Sequence, residues 1–363
     1  MGILGRKILR RRRAPTSTTT EEDGTQMERN DRTRRKKGGT VRKGDSPEMI
    51  EQMRNFCLAT VQCGVQGLVK EFMDIKKSCP PPAQLKKTAF DKNTDKNRYK
   101  DVYCTDDTRV VLSYPEGGND YIHANWVDIG ESKHRFICTQ APKANTVADF
   151  WRMVWQEKSK AIVMLCNIME CGKKKCEQYW PDKKDETQTY GTLTVKNTKV
   201  IQAEKMLTVS HLEVSDGTDV LTVEHIAWNN WPDRGVPENY LACFRLLARL
   251  KSFTHIIVHC SAGIGRTGTV VGLEMALQTF TAGEKLSMVD VVKELRRQRP
   301  GSVQTDVQYV YMHRCIIGLS ENKKAVKREE MTSFMEQFDQ LLKIRGCQAP
   351  NLSSTLITAR MAI

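Results

Sequence analysis

Apolar residues at Met49, Met53, Phe56, Leu58 and Val61 recur at close to helical spacing, which predicts a helix from about Pro47. Cys79-Pro80-Pro81-Pro82 must end whatever helix reaches it, because proline has no N–H to donate and crowds the turn before it. Short runs rich in β-branched and aromatic residues follow. They predict strands at Val110–Tyr114, Tyr121–Val127, Phe136–Thr139 and Ala161–Asn167, with a helix over Thr146–Glu157 between the last two. A second set of strands is expected at Thr189–Val195, Leu207–Val214, Val220–Trp228 and His255–His259. After Gly265 the period becomes helical, over Thr267–Thr279, Met288–Arg297, Asp306–Leu319 and a charged amphipathic stretch from about Lys327 to Ile344. Strands interleaved with helices imply one α/β (α+β) domain, a large twisted mixed sheet flanked by helices, and the sequence shows no internal repeat.

Composition adds a boundary at each end. Of 363 residues 39% are hydrophobic, enough for a sizeable core. Residues 1–47 carry 14 Lys/Arg against 6 Asp/Glu, with clusters at Arg6–Arg13 and Arg32–Lys37 and almost no aromatic residues. Such a stretch cannot offset its ordering entropy by burial, so it reads as a basic disordered tail. It is either plainly solvated or a contact for anionic lipid, nucleic acid or import machinery. Gly2 raises N-myristoylation, but Arg6 stands where that pattern wants Ser or Thr. Residues 48–345 form the expected folded domain, and 346–363, without periodicity, a short C-terminal tail. The twelve cysteines lack framework spacing and no secretory segment precedes them, so a reducing compartment is expected, cytoplasmic and also nuclear. No apolar run approaches the ~18 residues of a transmembrane helix.

The chemistry concentrates in His255-Ile-Ile-Val-His259-Cys260-Ser261-Ala262-Gly263-Ile264-Gly265-Arg266-Thr267-Gly268-Thr269, an apolar strand running through a small-residue loop into a helix. Successive backbone N–H groups of such a loop point into one concavity, and the helix N-terminus adds partial positive charge, so it suits an oxyanion. N–H dipoles and the Arg266 guanidinium would lower the pKa of Cys260 and make it a thiolate nucleophile. Arg266 can hold two phosphate oxygens at once, and the Thr267 hydroxyl can stabilise the sulfur as it leaves. Gly263, Gly265 and Gly268 also satisfy Gly-x-Gly-x-x-Gly, so a dinucleotide-binding loop is a rival. That reading needs an acidic residue ending a second strand ~20 residues on, whereas Glu284 has no apolar strand before it. An inert buried cysteine would leave Arg266 unexplained.

His259-Cys260, five residues and Arg266-Thr267 resemble the active-site motif of the cysteine-based protein tyrosine phosphatases. The filling Ser261, Ala262, Gly263, Ile264 and Gly265 is similar to that of the phosphotyrosine-specific branch, here of non-receptor type. The resemblance runs from about residue 48 to 319 in the family's order. It implies hydrolysis of phosphotyrosine on proteins through a cysteinyl-phosphate intermediate. By the same resemblance Trp231-Pro232-Asp233 is the loop that closes over substrate, Asp233 being general acid and Trp231 an anchor. Gln304 places the attacking water and Gln308 assists. In Lys96-Asn97-Arg98-Tyr99-Lys100-Asp101, Tyr99 stacks on the substrate ring and Asp101 holds the substrate backbone, in a pocket too deep for phosphoserine. Glu170 would orient Arg266, with Lys175 near the acid loop. Arg234 stands where His is more usual, and Tyr311 where Phe is.

The resemblance implies no cofactor. The spacing of Cys166, Cys171 and Cys176 is not a zinc pattern, and no metal is expected. Arg296 and Gly301 are compatible with a second, basic phosphate-binding surface. The alternative to catalysis is a module that captures phosphotyrosine without turnover, in which Cys, Arg or the acid is usually replaced. A low-pKa Cys260 should also be open to reversible oxidation by peroxide.

Overall fold

The computed structural model describes residues 45–130, 132–229, 231–232 and 235–347. The basic stretch before Asp45, the residues after Cys347, and Asp233 with Arg234 lie outside them. The first helix, α1, spans Pro47–Ser78 and is capped by the Ser46 hydroxyl, which accepts the Met49 N–H at 3.1 Å. Gly64, at φ 67° and ψ 167°, breaks it in two. The break frees the Val65 N–H, which donates to Gln337 Oε1 at 3.0 Å. Met49 and Met53 are core residues as the spacing implied, but Leu58 is 40% exposed.

The short helix α2 (Thr88–Lys92) precedes strands β1 (Arg109–Val111), β2 (Tyr121–Asp128) and β3 (Arg135–Thr139). Helix α3 (Val147–Gln156), β4 (Ala161–Met164) and a small hairpin of β5 (Met169–Glu170) and β6 (Lys173–Lys174) follow. The strand expected over Thr189–Val195 is two strands, β7 (Thr187–Tyr190) and β8 (Leu193–Glu204). They meet at a tight turn through Gly191, whose φ of 64° only glycine adopts freely. Then come β9 (Leu207–Ser215), β10 (Val220–Trp228), α4 (Ala242–Leu250) and β11 (His255–His259). The chain ends in α5 (Gly265–Thr281), α6 (Met288–Gln298), α7 (Asp306–Asn322) and α8 (Arg328–Ile344). Periodicity did not announce α2 or α4.

Nine strands form one sheet in the order β1-β2-β3-β11-β4-β10-β9-β8-β7. The pairs β3/β11, β11/β4 and β4/β10 are parallel and the outer pairs antiparallel. A strand paired in parallel on both sides is covered on both faces, and accordingly Ile256, Ile257 and Val258 of β11 are fully buried. Helix α5 packs on β11 and β3, and α4, α6 and α7 pack on α5. β11 therefore delivers its carboxyl end into the crevice where open sheets of this kind bind ligands. Among the described residues no helix is long and apolar enough to cross a membrane, and no disulfide joins the cysteines.

Candidate active site

Beyond β11 the chain turns through Cys260 to Ile264 into the first turn of α5. Gly263 makes the turn possible. Its φ is +70°, and a Cβ there would stand 2.0 Å from the Thr139 carbonyl oxygen, so only glycine lets the loop lie against β3. The Gly263 N–H reaches back to the Cys260 sulfur at 3.2 Å. Cys260 is 5% exposed. Burial, the largest influence on the thiol, pushes its pKa up, yet the Arg266 charge, the Thr267 hydroxyl and the Thr267 and Gly263 N–H groups together bring it below the ordinary thiol value. The Thr267 hydroxyl is buried and has no hydrogen-bond partner among the described residues, and its side chain helps lower the pKa of the Cys260 thiol.

Arg266 is held in a two-pronged ion pair. Its Nη1 and Nη2 donate to Glu170 Oε1 and Oε2 at 2.6 and 2.8 Å, and Nη1 also donates to the Leu165 carbonyl at 2.8 Å. Both side chains are about 95% buried, and desolvation, the largest influence on Arg266, is outweighed by Glu170 and the Cys260 sulfur, so its pKa is raised. Glu170 reaches this place because the β5/β6 hairpin turns through Cys171 (φ 50°) and Gly172 (φ 70°). The Asn167 N–H holds the same carboxylate at 2.9 Å. Lys175 contributes its carbonyl, which accepts the Ser261 hydroxyl at 3.2 Å.

His259 faces the other way, into the core. Its Nε2 shares the Tyr179 hydroxyl at 2.7 Å, and that hydroxyl also meets His225 Nε2 at 2.7 Å. Burial, aided by His259, pushes His225 down to about 3, so its imidazole stays neutral.

Two further segments converge on the loop. The Tyr99 hydroxyl shares a hydrogen bond with Ser261 Oγ at 2.8 Å, and Asp101 is exposed. This wall is pinned by Arg98, whose Nε and Nη2 donate to the Ala141 and Pro142 carbonyls at 3.2 and 2.7 Å, while the Ala141 N–H donates to the Ser261 carbonyl. At the start of α7, Thr305 and Gln308 form a capping box, and Gln308 Oε1 also accepts the Gln304 N–H at 2.9 Å. A Cβ on Gly265 would lie 2.9 Å from Gln308 Nε2 and 3.2 Å from Gln304 Oε1, so both amides sit over the loop. Trp231 is buried, with its ring 5.0 Å from that of Trp228, and its Nε1 donates to the Gly235 carbonyl at 3.3 Å. Asp233, the sequence's candidate acid, is outside the described residues.

The structure corrects the reading of Arg296. Its side chain is buried and committed: Nε and Nη2 donate to the Ser302 and Val303 carbonyls, each at 2.8 Å, and Nη1 faces Cys79 Sγ at 3.4 Å. It clamps a strained turn, with Val303 at φ 58°, whose N–H donates to the Ile264 carbonyl at 3.0 Å. It does not present a basic surface. Sequence reasoning missed Arg299, which is fully buried behind the loop. Arg299 donates to the Gly263 and Ala262 carbonyls at 3.2 and 3.1 Å and to Asn125 Oδ1 at 2.8 Å. An arginine between Gln298 and Pro300 gives no periodic signal of burial.

Residues 93–318 match the sequence model of the family described as protein-tyrosine phosphatase. Human receptor-type tyrosine-protein phosphatase eta is 36% identical over 271 residues, 72% of this chain and 20% of that protein. The chain spans about a fifth of the length of the first curated relatives it matches. Among solved structures, the catalytic domain of human protein tyrosine phosphatase non-receptor type 18 is 33% identical with a TM-score of 0.64, over 70% of this chain and 96% of that one. A structure on the PTPN18 fingerprint on distinct HER2 tyrosine phosphorylation sites is 30% identical with a TM-score of 0.68, over 74% and 99%.

Proposed function

This chain belongs to the protein-tyrosine phosphatase family, and from that premise we propose that it hydrolyses phosphotyrosine on proteins through a phosphocysteine formed on Cys260. The observation that carries the reading is the Cys260 sulfur at the mouth of a backbone cradle, its pKa lowered beside an Arg266 that Glu170 holds in place.

The Cys260 thiolate attacks phosphorus while the bond to the tyrosine oxygen breaks. Arg266 and the loop N–H groups take up the charge on the phosphoryl oxygens, an electrostatic role that costs no rearrangement during the reaction. Asp233 delivers the proton that the departing phenolate needs, a role assigned from its place after Trp231-Pro232. Water next to Gln304 then attacks the phosphocysteine and gives its proton to Asp233. The P–S bond breaks, inorganic phosphate forms, and the sulfur leaves as thiolate beside the Thr267 hydroxyl. Tyr99 lines the approach to Ser261 and so suits a flat phosphorylated ring, where stacking adds about 0.5–1.5 kcal/mol beyond area burial. The substrates are tyrosine-phosphorylated proteins. A reducing compartment, cytoplasm or nucleus, would keep the thiolate free.

The test is hydrolysis of a phosphotyrosine peptide by the chain, by Cys260→Ser and by Asp233→Ala, with a phosphoserine peptide alongside. Turnover of phosphotyrosine alone is expected, abolished by the first change and slowed about 10²–10⁴-fold by the second. Tight binding with no turnover in the unaltered chain would overturn the reading in favour of a phosphotyrosine-capturing module.

A further inference from the structure

Helix α8 begins ten residues past the match to the family, which ends at residue 318. Along its length it is fastened to α1. Glu330 takes both prongs of Arg54 at 2.7 and 3.2 Å, and Gln337 fills the break at Gly64 by accepting the Val65 N–H. Its far end meets the active-site elements. Arg345, just past its last turn, donates Nη2 and Nε to Asp306 Oδ2 at 2.6 and 3.2 Å. Asp306 is the first residue of α7, and its other oxygen accepts the Val307 N–H at 2.8 Å. Two residues on, the Cys347 carbonyl lies so close to Gly235 that a Cβ there would come within 3.1 Å of it. Two residues of one short stretch thus reach the site's elements, Arg345 the first turn of α7 and Cys347 the turn that follows Trp231-Pro232.

We propose that the end of α8 is a positioning element for the second chemical step, in which Arg345 holds Asp306 and the first turn of α7 so that Gln304 and Gln308 keep their places over Gly265. The placement follows helix electrostatics from both sides: an anion is favoured at the N-terminus of α7 and a cation at the C-terminus of α8. The pair is half open to water, with the Arg345 side chain 44% and the Asp306 side chain 13% exposed. Its contribution to stability is accordingly small. What it fixes is the direction in which the first turn of α7 points, and a water-placing amide tolerates little displacement. Arg345 touches no substrate and is not itself a catalytic residue.

This inference rests on the phosphocysteine reading, and pre-steady-state hydrolysis of p-nitrophenyl phosphate separates the two. The burst of nitrophenolate reports formation of the intermediate, and the later linear phase reports its hydrolysis. Arg345→Ala is expected to slow the linear phase about fivefold, with an unchanged burst rate and a KM that falls with kcat. Asp306→Asn should do the same, and the double change should be no worse than either alone, because the two residues act through one contact. Melting temperatures near that of the unaltered chain establish that the variants fold, and Arg345→Lys, with charge but no fork, should fall between. A linear phase unaffected by Arg345→Ala, a burst slowed equally, or fully additive effects would overturn the role of α8 and leave the phosphatase reading standing. Absence of nitrophenolate release from the unaltered chain would sink both.

Discussion

At Cys260 burial and charge pull in opposite directions. Burial alone would suppress the thiolate, but Arg266, Thr267 and the Gly263 N–H outweigh it and the pKa falls below the usual thiol value. The anion therefore persists as pH drops past the point at which an exposed cysteine takes up its proton, at about 8.5. Alkylation of Cys260 by iodoacetamide should show a midpoint below that of free cysteine, and Thr267→Val should raise it by removing one stabilising hydroxyl. Equal midpoints for Cys260 and free cysteine would contradict the assignment. Much of this was legible from residue types alone, since Cys260, Arg266 and Thr267 are read off one continuous stretch. Arg299 was not, because its burial depends on Asn125 and the loop carbonyls arriving from distant segments. The same holds for Arg296, whose charge reads as surface in the sequence but is spent on two backbone carbonyls.

The loop, the hairpin and the broken first helix each depend on a residue with an unusual backbone. At Gly263 an alanine Cβ would collide with the backbone of β3, and φ is +70°. Gly263→Ala should then cost at least about 1–3 kcal/mol in stability and lower kcat/KM by about a hundredfold through displacement of the cradle. Denaturant titration with steady-state kinetics checks both, and a variant of unaltered activity would show that the loop does not need its observed path. The sequence rules found most strands and helices because alternation and helical spacing are local properties. They fused β7 with β8, since Thr189 to Val195 reads as one β-rich run and the Gly191 turn is a matter of φ alone. They missed α4, a short helix with buried Leu246, Leu247 and Leu250.

Across the whole molecule, His123, His225 and His313 are all buried and held neutral. Burial pushes them down to about 3, 3 and 4, with the Arg299 charge also acting on His123 and the neighbouring His259 on His225. In the unfolded chain each takes up a proton near pH 6.5. Between that pH and their folded values the unfolded state binds more protons, so stability falls as pH falls, by up to about 1.4 kcal/mol per pH unit for each histidine. Unfolding free energies measured at pH 7, 6 and 5 should show this slope beginning near 6.5, and a flat profile over that range would contradict the burial of these rings as neutral groups. By itself the sequence determined the mixed α/β class and the nucleophile loop with its arginine. It also carries the order of the motifs, because spacing along a chain fixes which groups a strand, a loop and a helix start can present together. Only the tertiary structure gave the Glu170–Arg266 pair, which the resemblance implied, its two-pronged geometry, and decided that Arg296 is a brace and that the end of α8 meets Asp306 and Gly235. Those contacts join residues 96, 6, 39 and 112 positions apart, and apart from the second, side-chain period carries no information over such separations; for Arg296, burial by α1 and the strained turn set its role.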